Sequence, residues 1–164
     1  MMWLWVVLTA VAAQRLWELW LADRNTKRLL AEGAVEVGAA HYPLFILLHA
    51  SWLAAIAIVT PWTMVPNLGW LGLYLLLQLG RLWVIATLGR FWTTRIITLP
   101  AAPLVRSGPY RFVRHPNYVV ASLEIAVLPL AFGQVWIALA WSLANALLVA
   151  WRIRIEDRAL NERR

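Results

Sequence analysis

The sequence predicts an all-α integral membrane protein with five transmembrane helices, and three observations support this. Of its 164 residues, 62% are hydrophobic and only 14% are charged, whereas a soluble domain has about 45–50% and about 25%. The charged residues are concentrated in a few segments, separated by long uncharged runs. Five helices also place the basic segments on one side. These features exclude soluble, disordered and disulfide-stapled proteins, and the net charge of +7 does not indicate a nucleic acid partner.

Three apolar runs have the length of a single membrane span. A helix rises about 1.5 Å per residue, so about 20 residues cross a hydrocarbon layer about 30 Å thick. The runs 3–22, 42–60 and 68–88 meet this requirement. The first run lacks the basic start and small-residue cleavage site of a secretory signal peptide. We therefore expect each run to form a helix of the mature protein.

The last apolar run, 118–151, is too long for one crossing and short for two. Pro129 and the sequence Phe132-Gly133-Gln134 interrupt its middle, and proline and glycine commonly end helices. We expect two short helices, about 118–132 and 134–151, joined as a tight hairpin. The count is then five spans.

The basic segments give the predicted orientation. The segments 23–41, 89–117 and the C-terminal tail carry nearly all the Lys and Arg residues, and five spans place all three on one face. The positive-inside rule assigns that face to the cytoplasm. We expect a single multi-pass domain, 1–164, in the cell (inner) membrane, with its N-terminus outside and its C-terminus in the cytoplasm.

Many of the twelve tryptophans fall near predicted span ends, where aromatic side chains anchor membrane proteins. We expect an interfacial belt rather than a cofactor cage. His41 and His49 are separated by Pro43 and have no nearby thiolates, so we interpret them as interfacial histidines and predict no metal site. The belt residues are Trp3, Trp5, Trp20, Trp62, Trp70, Trp92 and Trp151.

Four ionisable side chains fall inside predicted spans at similar depths: Arg15, Glu18, Arg81 and Glu124. Such residues cost several kcal/mol unless they are paired or hydrated, so each marks a candidate site. We predict a pair between Arg81 and Glu124. The pair has two interpretations: it belongs to a functional site, or it is a structural ion pair that fixes the packing of the helices. In a third interpretation, Arg81 extends to the headgroups instead.

Polar residues also form stripes on the two predicted C-terminal helices, at helical spacing. If the last helix continues into the tail, the two stripes reach the same side and line one pocket. The alternative is an i,i+4 pair between Arg152 and Glu156 on a solvated tail. The stripes are Asn117, Ala121 and Glu124, and Asn145, Leu148, Arg152 and Glu156.

The segment 89–117 shows no clear helical or strand pattern, and loops of this length are usually functional or disordered. Its Gly108-Pro109 pair predicts a turn, and Pro116 suits the first position of the next helix. His115 then stands at a helix N-terminus, where backbone N–H groups bind carboxylate or phosphate. The residues alone predict a site for an anionic ligand at the mouth of the bundle.

The run Arg114-His115-Pro116-Asn117-Tyr118, preceded by Gly108-Pro109-Tyr110-Arg111 and followed by an acidic tail, resembles the isoprenylcysteine carboxyl methyltransferase family. The resemblance covers about 68–164 and implies an integral-membrane methyltransferase that converts S-adenosyl-L-methionine to S-adenosyl-L-homocysteine. Two other stretches look like a bacterial branch associated with O-methylation of alkylpyrones and related phenolic lipids. These are Gly33-Ala34-Val35-Glu36 through His41-Tyr42-Pro43, and Leu88-Gly89-Arg90-Phe91-Trp92.

The resemblance implies which residues bind the cofactor. Chemically, Arg114 and the helix N-terminus suit its carboxylate, Glu156 suits its ammonium or ribose hydroxyls, and Tyr118 or Trp92 suits its sulfonium. No strand is followed by the G-x-G-x-x-G motif of a Rossmann-type enzyme. The sequence departs from the family where Asp157 replaces the usual Glu and Val120 replaces a small residue. The implied cofactor residues are Arg114, His115, Pro116, Tyr118, Glu156 and Asp157.

The expected reaction transfers a methyl group to a carboxyl, enol or phenol oxygen of a lipophilic or lipidated acceptor taken from the bilayer. His115 and Glu124 are the candidate bases, and Arg95, Arg111 or Arg152 would hold an acceptor anion. The alternatives are isoprenylcysteine carboxyl methylation itself, a steroid-reductase-like enzyme that uses NADPH, and a membrane scaffold without enzymatic activity. The candidate catalytic residues are Arg114, His115, Glu124 and Arg152.

Overall fold

The computed structural model describes residues 2–100 and 102–161. Within these ranges the fold is mostly helical, and each of the five predicted spans coincides with a helix. The predicted fold class is therefore confirmed. The helices are α1 (Trp3–Ala31), α2 (Tyr42–Val59), α3 (Leu68–Leu88), α4 (Pro116–Ala131) and α5 (Val135–Asn161).

In the described part of the chain, four helices are long and apolar enough to cross a membrane, and they contain α1, α2, α3 and α5. The helix α4 is apolar but has only 16 residues, which corresponds to a rise of about 24 Å. It contains Pro129 and ends two residues later at Ala131. Gly133, with a positive φ of 70°, forms the tight turn into α5. The protein is therefore a multi-pass membrane protein with the expected C-terminal hairpin.

The helix α1 is longer than the sequence predicted, because it continues through most of the segment expected to be a loop. Opposite charges four residues apart support this extension, as in the exposed pair of Lys27 with Asp23 at 2.6 Å. Asn25 joins the extension to the 89–117 segment by donating to the carbonyl oxygens of Gly89 and Trp92 at 3.2 and 2.8 Å.

The 89–117 segment contains regular structure that the sequence did not predict. Its strand β2 (Ile96–Thr98) pairs antiparallel with β1 (Val35–Val37), and Val35 lies opposite Thr98. Strands of three residues are too short to show a clear alternating pattern, which explains the wrong prediction. Arg95 reinforces the sheet through Glu36 at 3.0 Å, so the sheet ties this segment to the end of α1.

Among the described residues, two hydrophobic clusters hold the bundle together. The larger cluster includes fully buried Trp52, whose Nε1 donates to the carbonyl oxygen of Ile125 at 3.2 Å. The smaller cluster contains Ala22, Val84, Ile85 and Trp92. Trp92 is only 1% exposed, so it is a core residue, and its predicted role as an interfacial anchor is wrong.

Helix α3 packs closely against α4, and Gly80 and Val120 meet at this contact. A Cβ on Gly80 would lie 3.5 Å from Cγ2 of Val120, an ordinary van der Waals distance. The valine that departs from the family pattern is therefore accommodated by a glycine on the facing helix. Close packing of these helices positions the N-terminus of α4 against the rest of the bundle.

Candidate functional site

The four ionisable residues inside the spans form one buried network that joins α1, α3 and α4. Arg81 donates from Nε to Oε1 of Glu124 at 2.8 Å and forms a second, very short contact with Oε2. Arg15 donates from Nη2 to the same carboxylate at 2.6 Å and from Nη1 to Glu18 at 2.7 Å. The predicted pair of Arg81 with Glu124 is confirmed, and Arg15 and Glu18 complete the network.

Glu124 does not have the geometry of a catalytic base. Oε1 accepts from Gln78 at 3.0 Å as well as from Arg81, and Oε2 accepts from both guanidinium groups. The side chain is 1% exposed and does not line the large cavity that lies beside this network. Because both oxygens already accept charge-assisted hydrogen bonds, we correct the assignment of Glu124 as a candidate base to that of a residue that holds three helices together.

A cavity of about 1120 Å³ lies beside this network. Polar side chains of the 89–117 segment, the start of α4 and the end of α5 line one part of it, which we call the polar end. Apolar side chains of α1 and α2 line another part, which we call the apolar end. Arg15, Glu18 and Arg81 also line the cavity. The polar lining includes Arg106, Tyr110, Arg111, Arg114, His115, Asn117, Tyr118, Arg152 and Glu156.

Tyr118 of α4 binds two residues of the polar stripe that the sequence predicted on α5. Its hydroxyl accepts from Nε of Arg152 at 2.8 Å and donates to Oε2 of Glu156 in a very short contact. Arg152 is only 6% exposed, and its guanidinium lies 5.2 Å from the ring centre of Phe45. Arg152 is therefore a buried member of the site, not half of a solvated pair on the tail. Both stripes contribute to one pocket, although Glu124 and Leu148 are not part of the cavity wall.

His115 immediately precedes α4, as the sequence predicted, and its ring stacks on Tyr118 with centroids 5.3 Å apart. Nδ1 lies 3.8 Å from Oε1 of Glu156, and Nε2 lies 3.6 Å from Oδ1 of Asp157. The structure thus brings side chains from the start of α4 together with side chains from the end of α5. They are His115, Tyr118, Glu156 and Asp157. These distances suit two ion pairs when the imidazole is protonated.

The remaining predicted residues lie around this group. Pro116 is buried at the first turn of α4, and Arg114 is exposed at the cavity rim. Arg111 also lines the cavity. Arg95 does so as well, but its guanidinium is paired with Glu36 at 3.0 Å and lies 4.6 Å from the ring centre of Tyr42. Arg95 therefore helps hold the sheet.

Tyr110 is a cavity residue to which the sequence assigned no role. Burial raises the pKa of its hydroxyl well above the ordinary value, and the negative charge of Glu156 raises it further. Tyr110 therefore stays protonated at neutral pH. Its hydroxyl can serve the site as a hydrogen-bond donor but not as an anion.

His49 was interpreted as interfacial, but it lines the cavity. A signal for this position was present in the sequence, since Tyr42, Phe45, His49 and Leu53 recur at the three- and four-residue spacing of one helix face. All four line the cavity. Asn145 is also buried in the wall, where its side chain donates to Ser122 Oγ at 2.8 Å.

Comparison with known proteins assigns the chain to a family. The Isoprenylcysteine carboxyl methyltransferase (ICMT) family matches residues 70–162, the part of the chain that carries α3, the 89–117 segment, α4 and α5. No solved structure gives a significant match.

Two similar proteins match over nearly the full chain. "Uncharacterized protein YpbQ" of Bacillus subtilis is 37% identical over 162 residues, 96% of each chain. An "Uncharacterized protein" of Haemophilus influenzae is 30% identical over 161 residues, 95% of this chain and 94% of that one. The "Cobalt-zinc-cadmium resistance protein CzcN" of Cupriavidus metallidurans is 42% identical over 88 residues, 52% of this chain and 41% of that protein. The chain therefore belongs to the isoprenylcysteine carboxyl methyltransferase family, and this membership implies a membrane methyltransferase.

Proposed function

We propose that the protein is an S-adenosyl-L-methionine-dependent O-methyltransferase whose acceptor is a lipophilic molecule of the bilayer, such as an alkylpyrone or an alkylresorcinol. The observation that carries the proposal is the continuity of the main cavity, which joins a polar end to an apolar end in one volume of about 1120 Å³. A charged, water-soluble donor and an apolar acceptor require these two environments side by side.

The chemistry of the polar end fits S-adenosyl-L-methionine. The cofactor carries a carboxylate, an ammonium and a sulfonium, and the site offers Arg114, Glu156 and the face of Tyr118. Within the described part of the chain, Nε2 of His115 and Oδ1 of Asn117 are buried without a hydrogen-bond partner. Buried polar atoms are rarely left without partners, so these two atoms favour the binding of a polar ligand.

The residues at this end would bind and orient the cofactor. The backbone N–H groups at the start of α4, with Arg114, favour the carboxylate. The acidic pair Glu156 and Asp157 favours the ammonium or ribose hydroxyls. When bound, the cofactor supplies an electrophilic methyl group whose transfer cancels the sulfonium charge. The protein then contributes mainly by aligning the two reactants and excluding water.

The apolar end faces the surroundings of the bundle between α1 and α2. Leu16 of α1 is 68% exposed and Ile46 of α2 is 45% exposed, and both line the cavity. In a membrane these surfaces contact lipid, so an acceptor with an alkyl tail would enter from the bilayer without crossing water. The basic 89–117 segment would face the cytoplasm, which supplies the cofactor.

Calorimetry on the detergent-solubilised protein tests the cofactor assignment. We expect S-adenosyl-L-homocysteine to bind and NADPH to leave no heat signal. Binding of NADPH alone would indicate a membrane reductase, and the absence of both would indicate a scaffold. Either outcome would overturn the proposal.

A methyl-transfer assay then tests the acceptor class. Labelled S-adenosyl-L-methionine would be incubated with an alkylresorcinol, an alkylpyrone and a farnesylated cysteine in the same detergent. We expect label in the first two. Transfer to farnesylcysteine alone would assign isoprenylcysteine carboxyl methylation instead.

A further inference from the structure

His49 lies in the cavity wall on α2 with a defined protonation pattern. Its Nδ1 is 2.8 Å from the carbonyl oxygen of Phe45. A carbonyl oxygen accepts but cannot donate, so Nδ1 carries the ring hydrogen in the neutral imidazole and Nε2 keeps its lone pair. The ring is also held by an edge contact with Trp52, with centroids 6.3 Å apart. The helix therefore fixes both the tautomer and the orientation of His49.

His49 lines the cavity on the same face of α2 as Phe45 and Leu53. Phe45, one turn earlier on α2, contacts the guanidinium of Arg152, which in turn binds the Tyr118 hydroxyl. Leu53, one turn later, lines the apolar part. One helical turn corresponds to about 5.4 Å. An acceptor whose tail lies along α2 therefore presents its polar head at the level of His49. This level is next to the polar end, where the cofactor would bind.

The charged groups that act on His49 come from three neighbouring helices: Arg15 of α1, Arg81 of α3 and Glu124 of α4. The carboxylates of this network already bind the two guanidinium groups. They are therefore poor proton acceptors for a substrate. Arg15 and Arg81 also line the cavity, so positive charge is available near an acceptor oxygen that loses its proton.

We propose that His49 is the general base of the methyl transfer and that the acceptor group is a weakly acidic hydroxyl, a phenol or an enol. This inference rests on the proposed function and deepens it. The acceptor O–H proton passes to Nε2 of His49, and the oxygen electron pair forms the new bond to the methyl carbon. The methyl–sulfur bond of S-adenosyl-L-methionine breaks with its electron pair on sulfur, and S-adenosyl-L-homocysteine leaves. The imidazolium then returns its proton to water.

This assignment distinguishes hydroxyl acceptors from carboxyl acceptors. A carboxylic acid is already ionised at neutral pH and needs no base, whereas a phenol with a pKa of about 10 must lose its proton during transfer. General bases contribute about 10²- to 10⁴-fold to such steps. A base in the cavity wall therefore suits an acceptor hydroxyl that is still protonated at neutral pH, such as a phenol or a weakly acidic enol.

The first test measures ionisation of a bound acceptor without cofactor. An alkyl-substituted nitrophenol, whose phenolate absorbs visible light, would be titrated with wild-type protein and with His49→Gln at a pH at which the free probe is mostly protonated. We expect the wild type to increase the phenolate fraction and His49→Gln to bind the probe without that increase. Equal phenolate fractions in both proteins would overturn the proposal.

The second test compares acceptors of different acidity. We expect His49→Gln to lose about 10²- to 10⁴-fold in transfer to an alkylresorcinol and to lose little with a hydroxypyrone of matched tail that is already ionised at the assay pH. An equal loss with both acceptors would refute the role of base. Ser51→Ala is the matched control, because it removes a polar group from α2 outside the cavity wall.

Calorimetry with S-adenosyl-L-homocysteine separates the two proposals. We expect wild type, His49→Gln and Ser51→Ala to bind it equally, which also shows that the variants are folded. If the wild type does not bind it and methylates none of the acceptors, the proposed function fails and the assignment of His49 falls with it. If it binds and transfers methyl groups but His49→Gln keeps full activity with the alkylresorcinol, only the assignment of His49 fails.

Discussion

The Tyr118 hydroxyl joins the side chains of Arg152 and Glu156, accepting from the first and donating to the second. This bridge fixes the last turns of α5 against the start of α4. It also brings the acid that we assign to the cofactor ammonium next to His115, whose Nδ1 lies 3.8 Å from Glu156. The packing of two helices and the geometry of the proposed cofactor site therefore depend on the same hydroxyl group.

Removing that hydroxyl should weaken cofactor binding. We expect Tyr118→Phe to lower the affinity for S-adenosyl-L-homocysteine about 10- to 100-fold, since hydrogen bonds to charged groups contribute about 1.5–3 kcal/mol. Isothermal titration calorimetry measures the change. Tyr74→Phe is the matched control, because Tyr74 is buried in the bundle core and is not part of the cavity wall. Equal affinities of Tyr118→Phe and wild type would contradict the proposed site.

The buried network should matter for stability. Glu124→Gln removes a carboxylate that binds both Arg15 and Arg81, and breaking one partner of a buried ion pair commonly costs about 3–5 kcal/mol. We expect a clearly lower unfolding midpoint in detergent micelles. Asp23→Asn, which removes an exposed pair with Lys27, should leave the midpoint nearly unchanged.

The same variant also tests the correction of the role of Glu124. If Glu124→Gln folded as stably as wild type, bound S-adenosyl-L-homocysteine normally and yet lost methyl transfer, then Glu124 would act in the reaction. We expect the opposite pattern, in which stability falls and the residual folded protein keeps its transfer activity.

The sequence was sufficient to predict the helices because each contains a long apolar run. In a membrane, a run of this length satisfies its backbone hydrogen bonds by forming a helix. The pair of Arg81 with Glu124 could be predicted for the same reason, since isolated charges at that depth are costly. The helical continuation of α1 to Ala31 could not, because balanced charges are as typical of a polar loop as of a solvated helix.

The parts of the site that the sequence missed depend on long-range packing. A tryptophan near the end of a predicted span, as Trp92 is, is typical of an interfacial anchor. Only its contact with Ala22, Val84 and Ile85 makes it a core residue.

His49 was interpreted as interfacial because no thiolate or closely spaced partner indicated a metal or haem site. The spacing of Tyr42, Phe45, His49 and Leu53 was visible in the sequence, but the cavity that this helix face lines is built from distant segments and could not be predicted from local spacing.

The approach of the 89–117 segment to α3 requires a glycine at position 108. Gly108 has φ +55°, and a Cβ there would lie 2.5 Å from Oγ1 of Thr87 and 3.2 Å from Nε1 of Trp83. We expect Gly108→Ala to displace the segment from α3, to lower affinity for S-adenosyl-L-homocysteine and to speed tryptic cleavage at nearby Arg106.

Gly89→Ala is the control for that substitution. Gly89 has a similar φ of +51°, and a Cβ there would meet no atom within 4 Å. It should therefore show only the cost of a positive φ, about 1–3 kcal/mol. Equal effects of the two substitutions on cleavage and binding would show that the close approach to Thr87 is unimportant.

The five-span topology predicts which loops are accessible from each side of the membrane. The chain contains no cysteine, so single cysteines report their own position without background. Thr63 lies between α2 and α3, Ser107 lies before α4, and Gln134 lies in the turn between α4 and α5. We expect an impermeant maleimide to label Thr63→Cys and Gln134→Cys in intact spheroplasts and to label Ser107→Cys only after permeabilisation.

If Gln134→Cys were labelled together with Ser107→Cys and only after permeabilisation, the 16-residue helix α4 would not cross the membrane. The polar end of the cavity would still face the cytoplasm in that case, but the C-terminal half of the fold would be a re-entrant hairpin.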